Sequence, residues 1–194
     1  MLLKLRHLGI PKALLLVDST KITVGKERLS WAPLKGERAG IKLHVSLVAY
    51  EGRLHKVTET TGNSHDFKSS PEVIDKRFIV VADRAYGSHK RFDDYLEQHQ
   101  SFVIRLRDNT HFQDPVPRER FEPFAGTLER DFTCQLGKNA RLSKHHFRVV
   151  ILKDPQGNHV ILATNLHWHS AERIAEIYKK RWQIEVFSAG LSSI

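Results

Sequence analysis

A single cysteine, Cys134, stands in 194 residues, so no intramolecular disulfide can form and a reducing compartment suits the chain. Long apolar runs are missing too: none approaches the roughly 18–20 residues that a membrane-spanning helix needs. The opening stretch MLLKLRHLGIPKALLLVDST has some look of a secretory leader. However, Lys12 interrupts its apolar run, and Asp18 falls where small cleavage-site residues belong. A cytoplasmic protein with no membrane partner is expected. Acidic side chains are the scarcer sign, 22 against 31 Lys plus Arg, and the resulting net charge of +9 favours polyanionic partners such as nucleic acid. The twelve histidines offer no pair with zinc-site spacing to cysteine or carboxylate partners, which argues against a dedicated zinc site.

Hydrophobic residues make up 40% of the chain, enough to bury a core, and the length suits one domain or one domain carrying an insertion. The continuous apolar run Ala13 to Thr20 predicts a buried central strand closing on Asp-Ser-Thr. Lys21 to Gly40 is basic and reads as a loop or ragged hairpin. Ile41 to Tyr50 alternates with strand periodicity, Glu51-Gly52 signals a turn, and RLHKVTET returns, giving an antiparallel meander. A short helix is expected near Pro71. RFIVVADRAYGS supplies a second apolar run ending at Asp83. HKRFDDYLEQHQ then has helical spacing of Phe92, Tyr95 and Leu96, and SFVIRLRDN is a further strand. Beyond Thr110 the chain turns proline-rich, then HFRVVILK and HVILATNL flank DPQGN as a hairpin. Ser170 can cap a last helix. Such an order fits an α/β fold, a mixed sheet with helices on its faces.

Two aspartates closing two apolar strands meet at one sheet edge if those strands pair in parallel, a favoured place for ligand sites. Carboxylate clusters of this kind hold hard cations such as Mg²⁺ for phosphate-ester chemistry, although Asp after a strand is also an ordinary turn residue. On the last helix, Tyr178, Arg181 and Glu185 stand at i, i+3 and i+7 and share one face. A solvated face with an i,i+4 ion pair is the plain alternative. Ile174, Ile177 and Ile184 read as core contacts.

VDST, ADRAYGS and YKKRWQIEVF together resemble the three catalytic blocks of DDE-type bacterial insertion-sequence transposases. They are similar in particular to the insertion-sequence four group, with its Tyr-x2-Arg-x3-Glu-x6-Lys pattern. The resemblance runs from about Leu14 to Phe187. It implies an RNase H-like fold with a β-rich insertion before the last helix. The corresponding partition is residues 1–109 for the first part of the catalytic core, 110–166 for the insertion and 167–194 for the final helix. By the same resemblance, Asp18, Asp83 and Glu185 are the catalytic, metal-binding triad for Mg²⁺ or Mn²⁺, and Tyr178 and Arg181 contact DNA. Arg84 either contacts phosphate too or pairs with a surface acid. The implied activity is metal-dependent DNA cleavage and strand transfer at insertion-sequence ends, in the cytoplasm and on the nucleoid. The implied partners are transposon-end and target DNA, and a second copy of the chain or a full-length transposase.

Several residues depart from the pattern or leave two readings open. Ser192 stands where the family lysine belongs, Gly190 is expected to end the helix early, and only 17 residues precede Asp18. These departures imply an incomplete copy of a longer transposase, so a DNA-binding or inhibitory fragment without catalysis is the competing expectation. Trp182 lies off the Tyr-Arg-Glu stripe and is assigned to packing, with base stacking as its alternative. Lys21, Lys26, Arg28, Lys35, Arg38 and Lys42 either track a DNA backbone or form a solvated loop. Arg105 and Arg107 receive no chemical role.

Overall fold

The computed structural model describes residues 12–32, 38–61, 75–118 and 127–191. Nine strands among them form one sheet in the order β3-β2-β1-β4-β5-β9-β8-β7-β6. β1 (Leu14–Gly25), β2 (Arg38–Val48) and β3 (Arg53–Thr61) make the expected meander. β4 (Ile79–Ala82) and β5 (Ser101–Arg105) follow in parallel to β1. β6 (Phe112–Pro117), β7 (Leu128–Leu136), β8 (His146–Lys153) and β9 (His159–Thr164) complete it antiparallel.

Leu14 to Val17 and Ile79 to Ala82 are wholly buried on both faces, as continuous apolar strands must be at the centre of a covered sheet. Alternation sorts their side chains. Leu15, Val17, Val80, Ala82, Phe102 and Ile104 pack with α1 (His89–Glu97) on one face. Leu14, Leu16, Ile79, Val81 and Val103 pack on the other with Ile174, Ile177 and Ile184. The Ser88 hydroxyl caps α1 by accepting the Arg91 N–H at 3.3 Å. The Phe92 ring stacks on Phe102 with centroids 5.0 Å apart. The helix ends where His99 turns left-handed at φ 57°, with Gln100 N–H donating to the Tyr95 carbonyl and His99 N–H to that of Leu96.

Of the two readings of the basic stretch after Thr20, the hairpin is the one found: β1 continues to Gly25 and its antiparallel ladder with β2 reaches the pair Gly25 and Arg38. Four other expectations need correction, and one falls outside the described residues. The proline-rich part holds two more strands, β6 and β7. Pro115 and Pro117 are tolerated because β6 is an edge. The last helix is two helices, α2 (Ala171–Lys179) and α3 (Trp182–Leu191), and α3 passes through Gly190 to Leu191. Trp182 is 68% exposed, so it packs little. The helix expected near Pro71 falls on residues outside the described set.

Candidate active site

The pairing of β1 with β4 places Val17 opposite Ala82, so the next residues, Asp18 and Asp83, leave adjacent strands side by side. Ala82 pairs in turn with Ile104 of β5, which brings Arg105 beside Asp83. Strand alternation decides where these three point. Each lies two residues beyond Leu16, Val81 or Val103, the residues facing α2 and α3. Asp83 keeps extended backbone, φ −81° and ψ 171°, so the alternation carries through before Arg84–Tyr86 tighten into a 3₁₀ turn.

The two helices arrive from above that face. The Ser170 hydroxyl caps α2 by accepting the Arg173 N–H at 3.2 Å. Ile174, Ile177 and Ile184 are buried against the sheet, each worth roughly 1.5–3 kcal/mol of apolar burial. Between α2 and α3 the backbone switches to i→i−3 hydrogen bonds: Arg181 N–H donates to the Tyr178 carbonyl at 2.9 Å, and Ile184 N–H to that of Arg181 at 3.1 Å. In a 3₁₀ step, side chains three apart eclipse each other. The Arg181 guanidinium accordingly sits 5.5 Å from the Tyr178 ring centroid. Its Nη2 donates to Glu185 Oε1 at 2.5 Å. Tyr178, Arg181 and Glu185 therefore do stand together, but across a break and not on one continuous helix face. No proline or glycine marks that break in YKKRWQ. Lys180, at the step, lies 5.0 Å from the Tyr50 ring and moors it to the β2–β3 turn.

Electrostatics ties the helices to the strand ends. Burial pushes the Asp18 carboxyl up, and the charge of Glu185 adds to this. Hydrogen bonds from the Ser19 backbone and the Ser188 side chain, with the Arg181 charge, act against it. Burial also raises the Tyr178 hydroxyl, with Asp83 reinforcing and Arg181 and Arg105 opposing. For Arg181, burial works against the charge, but Tyr178, Glu185 and Asp83 outweigh it and hold the guanidinium above its ordinary value.

Asp83 Oδ1 is buried and has no hydrogen-bond partner among the described residues. Leaving such an acceptor unmet costs about 1–3 kcal/mol, a cost that points to a site kept for chemistry and not for stability. Two oxygen donors on adjacent strands, one of them unmet, suit a hard cation. The third expected carboxylate, Glu185, is engaged by Arg181. Among the described residues no three His, Cys, Asp or Glu side chains converge closely enough to hold a metal ion.

Arg84 is exposed at the rim, with Nη1 3.7 Å from Asp108 Oδ2, an ion pair of little energetic weight in water. Asp83, Arg84, Arg107 and Asn109 line an open cavity of about 530 Å³ there. Of the basic stretch, Lys21, Lys26 and Arg28 are exposed on and just after β1, Lys42 is half-buried on β2, and Arg38 starts β2. Lys35 lies outside the described residues. Sequence reading passed over Arg105 and Ser188. Aligning the VVAD and FVIR runs would have put Arg105 beside Asp83, whereas Ser188 carries no signal of its own.

The geometry can be set beside known proteins. A family model described as Transposase DDE domain matches residues 10–192. The chain is 45% identical over 183 residues, 94% of its own length and 48% of the relative's, to the "Probable transposase for insertion sequence element IS5377" of Geobacillus stearothermophilus. It is 28% identical over 176 residues, 88% of its length and 49% of the relative's, to the "Putative transposase y4zB" of Sinorhizobium fredii. The chain thus spans about half the length of these curated relatives. Among solved structures, a piggyBac transposase in a synaptic complex with hairpin DNA superposes with a TM-score of 0.54 at 13% identity, covering 94% of this chain and 41% of that one. That likeness identifies the mixed sheet with its flanking helices as the RNase H-like fold. No helix among the described residues is long and apolar enough to cross a membrane. Parallel strands ending in paired aspartates, a Tyr-Arg-Glu set above them and a family match over nearly the full length lead to one assignment: the chain belongs to the transposase DDE domain family.

Proposed function

We propose that this domain cleaves DNA and joins strands at insertion-sequence ends by metal-dependent phosphoryl transfer, with Asp18, Asp83 and Glu185 as its catalytic carboxylates. The observation that carries this reading is the register placing Asp18 and Asp83 side by side under α2 and α3, with Asp83 Oδ1 unmet. Asp18 and Asp83 would hold Mg²⁺ or Mn²⁺, with Glu185 joining them on leaving Arg181, and an ion held there would supply activation of the attacking oxygen and stabilisation of the leaving one. Release from Glu185 frees the Arg181 guanidinium, whose planar donors match a phosphate. The Tyr178 hydroxyl beside it orients the same phosphodiester, and Arg84 exchanges Asp108 for a phosphate farther along. DNA of transposon ends and target is the substrate, with a second copy or a full-length transposase as protein partner, on the nucleoid in the cytoplasm. Residues 1–109, 110–166 and 167–194 serve as core, β-rich insertion and closing helical segment.

One observation favours a second reading, a DNA-binding or inhibitory fragment without catalysis: Arg181 holds Glu185 away from a three-carboxylate group. Melting with Mg²⁺ or Mn²⁺, paired with a cleavage assay on duplex insertion-sequence ends, separates the two. Metal at about ten times its dissociation constant adds roughly 1.4 kcal/mol to stability. Asp18→Ala and Asp83→Ala abolish that gain. Cleavage lost in these variants supports catalysis. DNA binding without a metal shift or cleavage supports the fragment reading.

A further inference from the structure

We propose that a basic groove running from Asp83 across the start of α1 to the turn between β7 and β8 binds the phosphate backbone of duplex DNA as it leaves the candidate active site. The proposal rests on the DNA-processing reading above. The groove, about 740 Å³, shares Arg84, Arg107 and Asn109 with the cavity at Asp83, so the two are continuous. Arg84, Lys90, Arg107, Lys138, Arg141 and Lys144 project from its walls. Among the described residues, Lys90, Arg107, Lys138 and Arg141 have no acidic side chain within ion-pair distance. Two acids line the groove: Asp93 is buried and accepts the backbone N–H groups of Lys144 and His145, each at 3.0 Å, and half-buried Asp94 is left against those six cationic side chains. Arg84 and Lys144 have only loose pairs, with Asp108 at 3.7 Å and Glu97 at 3.6 Å. Drug-sized ligands take enclosed, mostly apolar sites; an open trough with this excess of cations suits a polyanion.

The wall carrying Lys138 and Arg141 is built, not draped. His89 Nδ1–H, at the start of α1, donates to the Arg141 carbonyl at 2.8 Å. The Ser143 hydroxyl accepts the Leu136 N–H at 2.9 Å and donates to the His145 carbonyl at 2.8 Å. Gly137 holds φ 94°, and a side chain there would collide with the Arg141 carbonyl and the His89 ring. Asn139 also lies in the left-handed region, at φ 52°. Fixing a turn this firmly against a helix keeps its cations at set positions, which lowers the ordering cost of meeting successive phosphates.

The test uses the whole chain and a fluorescein-labelled duplex of mixed sequence, followed by anisotropy at increasing salt. Removing two phosphate contacts with Lys138→Gln plus Arg141→Gln should make the slope of log affinity against log salt shallower by about 2. Between about 50 and 200 mM salt this makes the variant's loss of affinity roughly tenfold smaller than the parent's. Arg53→Gln plus Lys56→Gln, on edge strand β3, removes the same charge and should leave the slope in place. Equal slopes for parent and groove variant, or equal losses in both variants, overturn the groove. A parent chain that binds no DNA overturns the DNA-processing reading together with it. If the groove variant does not fold, lysine acetylation of the unsubstituted chain decides: DNA should protect Lys90, Lys138 and Lys144 more than Lys56, and uniform protection refutes the proposal.

Discussion

Replacing Asp131 with alanine strips the counter-charge from an arginine that water cannot reach. Arg148 is 2% exposed; its Nε and Nη2 donate to the two Asp131 oxygens at 2.9 and 2.8 Å. Its Nη1 donates to the carbonyls of Leu166 and His169, at 2.9 and 2.5 Å. The pair thus bolts β7 and β8 to the loop that launches α2, on which Tyr178 rides. Breaking a buried pair by deleting one partner costs about 3–5 kcal/mol, since the survivor stays charged and buried. For a chain this long, that corresponds to a fall in Tm of roughly 6–20 °C. Arg118, with Nε 3.8 Å from Asp131 Oδ1, loses an ionic neighbour as well. Arg148→Met with Asp131→Leu should recover part of the loss by removing both charges. It cannot recover the two carbonyl tethers, each worth about 1.5–3 kcal/mol as hydrogen bonds to a charged donor. Urea unfolding followed by far-UV circular dichroism gives the free energies of the parent, Asp131→Ala, the singles Arg148→Met and Asp131→Leu, and the double variant. A cost below about 1 kcal/mol for Asp131→Ala, or a double variant as unstable as the sum of the singles, refutes the reasoning.

Burial pushes the Cys134 thiol up to about 12, so in native protein near neutral pH it should resist thiol reagents and react at once in denaturant; fast labelling of the native chain refutes this. His167 and His169 are pushed down by burial and by nearby arginines, Arg118 and Arg148 for the first, Arg173 and Arg148 for the second. Their folded values lie below their unfolded ones, so their contribution is full above the unfolded pKa and is lost as pH falls below it. Tm should drop between roughly pH 7 and 5, and His167→Gln with His169→Gln should flatten that drop; an unchanged profile counts against it.

The central strands and both aspartates were legible because Leu14 to Val17 and Ile79 to Ala82 are apolar without interruption, a pattern set by burial on two faces. α1 was legible through the helical spacing of Phe92, Tyr95 and Leu96. The extension of β1 was legible only in part: Ile22 and Val24 alternate with Lys21 and Thr23 as in a strand, but the basic, glycine-containing residues around them left loop and hairpin both open. Not legible at all was the 3₁₀ step at Lys180 and Arg181, which is set by packing of Ile177 and Ile184 and the contact of Lys180 with Tyr50. At the site, the residue types and strand ends could be read, but Arg181 holding Glu185 is a choice among rotamers, invisible in one dimension.

The pairing of β5 with β9 has a consequence for how the chain is made. The Thr164 hydroxyl donates to the Phe102 carbonyl across 62 residues. Closing a loop of that size costs roughly 3.7 kcal/mol of chain entropy beyond a constant. At ribosomal speeds, β5 waits roughly 3–12 s for its second neighbour to be synthesised. Through that interval Phe102, Val103 and Ile104 form an open, apolar strand edge, a template for wrong pairing for as long as synthesis lags behind Thr164.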